Sequence, residues 1–331
     1  MARHTLILPG DGSDFAHWRH VARWLWAQQI APQNLQWLTQ DRQQHSPDLF
    51  APAAQPTAVP DHHSGPAAPA LTVPRAWLHL AEQALLNAAP ERFAVLYRLL
   101  WRMQWEPGLR HDPLDPDRVQ MQHWVKAVRH EVHKMHAFVR FRPLAQPDDP
   151  LDGCGPLHVA WFEPSHHIVH AAAPFFVQRF ANMRWAILTP QCCLRWWPQA
   201  PNAAALAEHG VVLKNALQPL KNRPGVLSWG PGAHACDAPA PDAGEALWLT
   251  YYAHIFNPAR LKVNAMRKEM PRKYWPNLPE ARLISPLIQA AQARSAAMLA
   301  SAPSTPARTL PGTAAAKQSK IHSFQRRPCN S

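Results

Sequence analysis

Hydrophobic residues along this chain fall into two rhythms. From Phe15 the apolar positions Phe15, Trp18, Ala22, Leu25 and Trp26 recur at intervals of three and four, the spacing of one buried helical face. Thr5–Leu8 before it and Leu35–Leu38 after it are short apolar runs, so strand, helix, strand makes a βαβ-like start over residues 1–40. Residues 41–74 lose all periodicity and are rich in Pro, Ala, Gln and His, which predicts a disordered connector. Helical stripes return at Trp77, Leu80, Ala81, Ala84, Leu85 and at Phe93, Leu96, Tyr97, Leu100. Asp115-Pro116 supplies a cap and a first-turn proline. Met121, Val125, Val128, Val132 and Met135 then step 4, 3, 4, 3 along one long helix. On this spacing His123, Lys126, Arg129, His130, His133 and Lys134 project from its other faces.

Alternation takes over next. Ala137–Phe141, Leu157–Phe162 and His166–His170 read as strands, Pro174 opens a short helix through Phe180, and Met183–Leu188 and Cys193–Trp197 supply two more strands. The expected fold class is α+β: an antiparallel β-β-β-α-β-β core packed against helices and preceded by the βαβ-like start. Residues 198–241 form an Ala/Pro/Gly-rich loop insertion within a main domain spanning 75–290. Asp242 and Glu245 resemble a capping box for a helix through Ile255, a second helix follows Asn257-Pro258, and a last one runs from Pro286 to about Leu299. Residues 291–331 comprise the end of that helix and a basic, disordered tail.

Charge changes the picture in the last third. The net charge of +12 is concentrated after residue 200, where sixteen Lys/Arg face six Asp/Glu. Such asymmetry points to a polyanion partner or to a solvated basic tail. Between Arg260 and Arg282 seven cations face two acids. Arg260, Lys262, Arg267, Lys268, Arg272 and Lys273 are followed directly by Tyr274-Trp275. Cations that neutralise phosphates beside rings that stack on bases are the ingredients of nucleic-acid binding. The same composition also suits an amphipathic helix with a solvated basic face, and the pattern leaves both readings open.

Chemistry is harder to place. His133, His136, Glu163, His166 and His167 are the candidate catalytic residues, dense enough to suggest a metal or acid–base site. Yet the spacing of three walks around a helix, and no HExxH occurs. Half-buried histidines on a sheet edge explain the pattern more readily than a metal site, and no metal or cofactor is expected. There is no GxSxG elbow, and Gly10-Asp11-Gly12 lacks the spacing of a phosphate loop. Five cysteines without a CxxC pair fit a reducing compartment, and no apolar run reaches membrane-spanning length, so a cytoplasmic protein is expected.

Several long motifs resemble one bacterial family of unknown-function domains described as DNA metabolism or repair proteins. They are His133-Lys134-Met135-His136-Ala137-Phe138-Val139-Arg140-Phe141-Arg142, Ala160-Trp161-Phe162-Glu163-Pro164 with His166-His167, and Ala173-Pro174-Phe175-Phe176 with Arg179-Phe180. Trp185–Pro190, Tyr251–Leu261 and Glu269–Ala281 match it as well. The resemblance implies DNA as a partner, together with a radical-SAM repair protein and a uracil-DNA glycosylase-like domain that is often fused to this one. Residues after Ala300 lack that domain's glycine-rich motifs and cluster cysteines, so glycosylase activity is not expected of this sequence. The expectation is a DNA-binding accessory protein. The alternatives are a histidine- or metal-dependent nucleic-acid-processing enzyme and a protein–protein adaptor that does not touch DNA.

Overall fold

The computed structural model describes residues 4–45, 57–59, 72–144, 155–199, 225–239, 245, 249–250, 253 and 263–300. Strand β1 (His4–Leu8) pairs in parallel with β2 (Leu35–Thr39), in the register His4↔Leu35 to Leu8↔Thr39. Helix α1 (Phe15–Ala27) connects them, its first turn capped by the Asp14 carboxylate, which accepts the His17 N–H. This is the βαβ start that the periodicity predicts. A short helix α2 (Gln40–His45) continues from β2, inside the stretch expected to be a connector. Helices α3 (Arg75–Leu85) and α4 (Arg92–Arg102) follow, each burying the stripe read from the sequence.

Helix α5 (Pro116–Phe138) is the spine. At 1.5 Å per residue it is about 34 Å long. Its first half, with Met121, Trp124 and Val125, closes a core built from β1, α1, α3 and α4 around Trp18, Phe93 and Tyr97. Its second half, with Val128 and Met135, closes a second core against the main sheet and α6 (Val169–Arg179), around Phe162, Phe176 and Trp185.

The main sheet contains β3 (Arg142–Leu144), β4 (Leu157–Trp161), β5 (Trp185–Leu188), β6 (Cys192–Trp197) and β7 (Val226–Pro231), in that spatial order. The fold is α+β, but the sheet is mixed rather than antiparallel: β4 and β5 run parallel, joined by α6. Parallel neighbours need such a crossover because a hairpin cannot join them.

Three expected elements differ. Residues 137–141 do not form a strand; α5 continues to Phe138, and Arg140 Nη1 returns to donate to the terminal carbonyls of Ala137 and Val139 at 2.6 and 3.2 Å. Residues 166–170 are not a strand either. The amides of Ser165, His166 and His167 donate to Glu131 and to the Leu86 carbonyl rather than to a sheet neighbour, and α6 then starts at Val169 with Pro174 inside it. Within the expected 198–241 loop, β7 pairs with the full length of β6. Gly225 opens that strand because a Cβ there would lie 2.2 Å from the Trp196 ring.

Helix α7 (Val263–Glu269), a 3-10 turn (Arg272–Asn277) and α8 (Ala281–Ala300) complete the description. Leu278, Ala281 and Ile284 form a small third cluster with Phe138 and Trp275. The last helix starts five residues earlier than the sequence suggests. The helix expected from Asp242 lies mostly outside the described residues, although Glu245 meets Arg142 Nε at 2.5 Å. No described helix is long and apolar enough to cross a membrane.

Candidate functional site

The two inward charges of α5 organise the best-defined polar site. Glu131 is 3% exposed and sits on the buried stripe with Trp124, Val128 and Met135. Its carboxylate accepts the Ser165 amide at 2.9 Å, the His166 amide at 2.8 Å and the Lys273 ammonium at 2.5 Å. Tyr274 Oη lies 3.4 Å away, and Lys273 also donates to Ser165 Oγ at 2.7 Å. Burial alone would raise the carboxyl pKa. Lys273 and the two amides outweigh it and hold Glu131 below the usual carboxylate range. For Lys273 the same contact overcomes desolvation and raises the ammonium pKa.

Lys134, one turn further along α5, does not project outward as its spacing suggests. It is 2% exposed and donates to the Glu269 carbonyl at 2.5 Å and the Glu269 carboxylate at 3.1 Å. Lys134 therefore anchors the C-terminal end of α7, and Glu131 anchors the turn after it. Together they hold Glu269 to Tyr274 against α5.

That docking sorts the basic segment. Tyr274 is 2% exposed, its ring stacked on Phe162 at 5.3 Å and tilted against Phe138 at 5.3 Å, so its faces belong to the core. Lys273 is committed to Glu131. Trp275 is half-buried and donates to the Met270 carbonyl at 2.9 Å, with Arg272 5.8 Å over its ring. Arg267, Lys268 and Arg272 remain exposed, while Arg260 and Lys262 lie outside the described residues. His130 and His133 are exposed on the adjoining face of α5. Burial and then Lys134 depress the His130 pKa, and Lys273, Glu269 and His133 are also within electrostatic reach of its ring. His130 on α5 thus comes within electrostatic reach of Glu269 and Lys273 from a segment far away in sequence.

The five candidate catalytic residues go to separate places. His133 faces solvent on α5. His136 stacks on Phe175 at 4.0 Å, and burial lowers its pKa. Glu163 accepts the Trp161 indole N–H at 2.9 Å. His166 Nδ1 accepts the Ala88 amide at 3.3 Å, with its other nitrogen 3.5 Å from Asn87. His167 Nδ1 lies 2.7 Å from Asp11 Oδ2. Among the described residues, no group of three His, Cys, Asp or Glu side chains is placed to hold a metal ion. Sequence reasoning missed Glu131, Asn87 and Asp11. Glu131 had a signal: Trp124, Val128, Glu131 and Met135 step 4, 3, 4 and put an acid on an apolar stripe.

The model of a domain of unknown function, DUF4130, matches residues 90–280, more than half of the chain. The chain belongs to the DUF4130 family. No curated protein and no solved structure matches it. The DUF4130 region contains α5, the Ser165–His167 turn and the docked segment through Tyr274, so the Glu131 site lies wholly within the family domain. Asp11 comes from the βαβ start, outside the match. Its contact with His167 ties that start to the DUF4130 domain at the same turn that Glu131 holds from the other side.

Proposed function

We propose that this DUF4130 protein is an accessory factor of DNA metabolism that contacts DNA through the face shared by α5 and residues 263–275. The observation that carries this reading is the docking of that segment by Glu131 and Lys134, which buries Tyr274 while leaving Arg267, Lys268 and Arg272 exposed. Exposed cations fixed on a rigid frame neutralise phosphates and release counterions, giving affinity that falls steeply with salt. The resemblance to bacterial DNA-repair proteins supports DNA as the polyanion, and a uracil-DNA glycosylase-like or radical-SAM protein as the enzyme assisted.

Fluorescence anisotropy with single-stranded, duplex and uracil-containing DNA at two salt concentrations tests the contact. Binding should weaken with salt, and the combined Arg267→Ala, Lys268→Ala and Arg272→Ala variant should lower the salt slope by about 2 to 3. Salt-insensitive association, or full affinity in the triple variant, would exclude this face and favour an adaptor role. Co-purification with the two partner types addresses the assisted enzyme separately.

A further inference from the structure

A cleft of about 300 Å³ opens at the C-terminal ends of β1 and β2. That end of parallel strands joined by a helix is where open α/β units hold ligands. Asp11, Trp37, Thr39, Arg42, Phe93 and His167 are among its lining residues.

The loop after β1 stands where a phosphate cradle would be, but its donors are used internally. Gly10 N–H donates to Gln40 Oε1 at 3.2 Å, Gly12 N–H to the Pro9 carbonyl at 3.0 Å, and Ser13 N–H to Asp11 Oδ1 at 2.8 Å. Arg92 also lines the cleft, yet its guanidinium is taken by the carbonyls of Leu85, Ala89 and Asp11 at 2.9, 2.9 and 2.6 Å. Those carbonyls are neutral, so Arg92 keeps its charge, and with Arg42 it balances Asp11 and Asp41, leaving the cleft no excess positive charge to draw an anion. What the cleft offers instead is a carboxylate acceptor and a flat wall. The Asp11 side chain is 31% exposed, and the Trp37 indole is half-buried, backed by Phe93 at 6.1 Å with 27° between the rings. His167 also lines the cleft, its Nδ1 2.7 Å from Asp11 Oδ2.

We propose that this cleft binds a neutral, flat nitrogen heterocycle of nucleobase or nucleoside size, its ring against Trp37 and a ring or exocyclic N–H donating to Asp11. A volume near the small end of ligand clefts suits such a molecule and not a larger cofactor. The amides of Gly10, Gly12 and Ser13 are bonded within the protein and leave no phosphate cradle among the described residues, which separates the cleft from a nucleotide site. The proposal does not rest on the DNA contact. The base could arrive free or be presented by a strand.

Saturation-transfer NMR and calorimetry on the full chain, with adenine, uracil, adenosine, uridine, their 5′-monophosphates and a short single strand, test this. At least one base or nucleoside should bind with a dissociation constant below about 1 mM, its monophosphate no more tightly. Asp11→Asn keeps the shape and the Ser13 contact but replaces an acceptor with a donor, and should weaken binding about tenfold. Trp37→Leu should weaken it as well, and Arg267→Ala with Lys268→Ala should leave it unchanged. Binding of the nucleoside alone assigns a free ligand, and Asp11-dependent binding of the strand assigns a presented base. The proposal is overturned if no probe binds, if a monophosphate binds about tenfold more tightly than its nucleoside, or if both cleft variants, folded by circular dichroism, bind like the parent.

Discussion

Glu131 and Lys273 are 142 residues apart in sequence and meet at 2.5 Å within the DUF4130 domain. The carboxylate end is almost fully buried, whereas the ammonium side chain is 45% exposed. That asymmetry decides what each substitution should do. Glu131→Gln leaves two amides a weakened acceptor and Lys273 without a counter-charge, and should cost about 2 to 3 kcal/mol, below the cost of breaking a fully buried pair. Lys273→Met leaves the buried carboxylate with its two amides but no counter-charge, and should cost at least as much. Urea denaturation of both variants and the double variant checks this. A double variant no worse than Glu131→Gln alone is the expected coupling, and strict additivity would contradict it.

Acid should destabilise the protein in two stages. Burial lowers the pKa of His136, His166 and His170 below 6.5, so the unfolded chain binds protons first as pH falls through that value. Stability from keeping these rings neutral is present above pH 6.5 and declines below it. Glu131 and Asp11 are also depressed, from 4.5 and 3.8, so their contribution is intact above those values and is lost as pH falls further. For Asp11, burial pushes the pKa up, and the hydrogen bond and charge of His167 with the Ser13 amide outweigh it. Thermal denaturation from pH 8 to pH 3 should show a shallow loss beginning near 6.5 and a steeper one near 4. His170→Phe should flatten the first and leave the second.

Gly225→Ala should be among the most damaging single-methyl additions. The added carbon would meet the Trp196 ring at 2.2 Å and the Trp197 carbonyl at 2.7 Å, and Trp196 is itself fixed by its indole N–H on the Ala181 carbonyl at 3.0 Å. Overpacking of this kind costs about 1 to 3 kcal/mol. A thermal midpoint unchanged from the parent would refute the close approach.

Tyr274 separates packing from polar contact. Tyr274→Phe keeps the ring between Phe162 and Phe138 and loses a long, weak hydrogen bond, so its cost should stay under about 1 kcal/mol. Tyr274→Ala removes the ring and should cost about 3 to 5 kcal/mol. Denaturation midpoints distinguish the two, and equal losses would mean that the hydroxyl dominates.

The βαβ start, the helical stripes and strands β4, β5 and β6 were legible because each pairs a clear period with a cap or breaker. Asp115 caps its helix where the sequence suggests. The failures share a cause in long-range hydrogen bonding. His166–His170 alternates like a strand, but the turn before it is fixed by a glutamate 34 and 35 residues upstream, which local periodicity cannot register. Strand β7 hides in a Gly/Pro-rich stretch because its identity depends on fitting beside Trp196. The histidines that stand close in sequence are dispersed by the fold, and of the candidates only His166 and His167 share one turn. Asp11 and Asn87 reach it from segments whose own sequence gives no reason to meet there.

Helix α5 contributes side chains to both cores, Met121 through Val125 to one and Val128 through Met135 to the other, with no break between. Neither core can open while the other keeps that helix intact along its length. The βαβ start and the DUF4130 domain are therefore expected to share a single melting event, in which a ligand that tightens the Asp11 cleft would raise the temperature at which the second half of α5 comes apart.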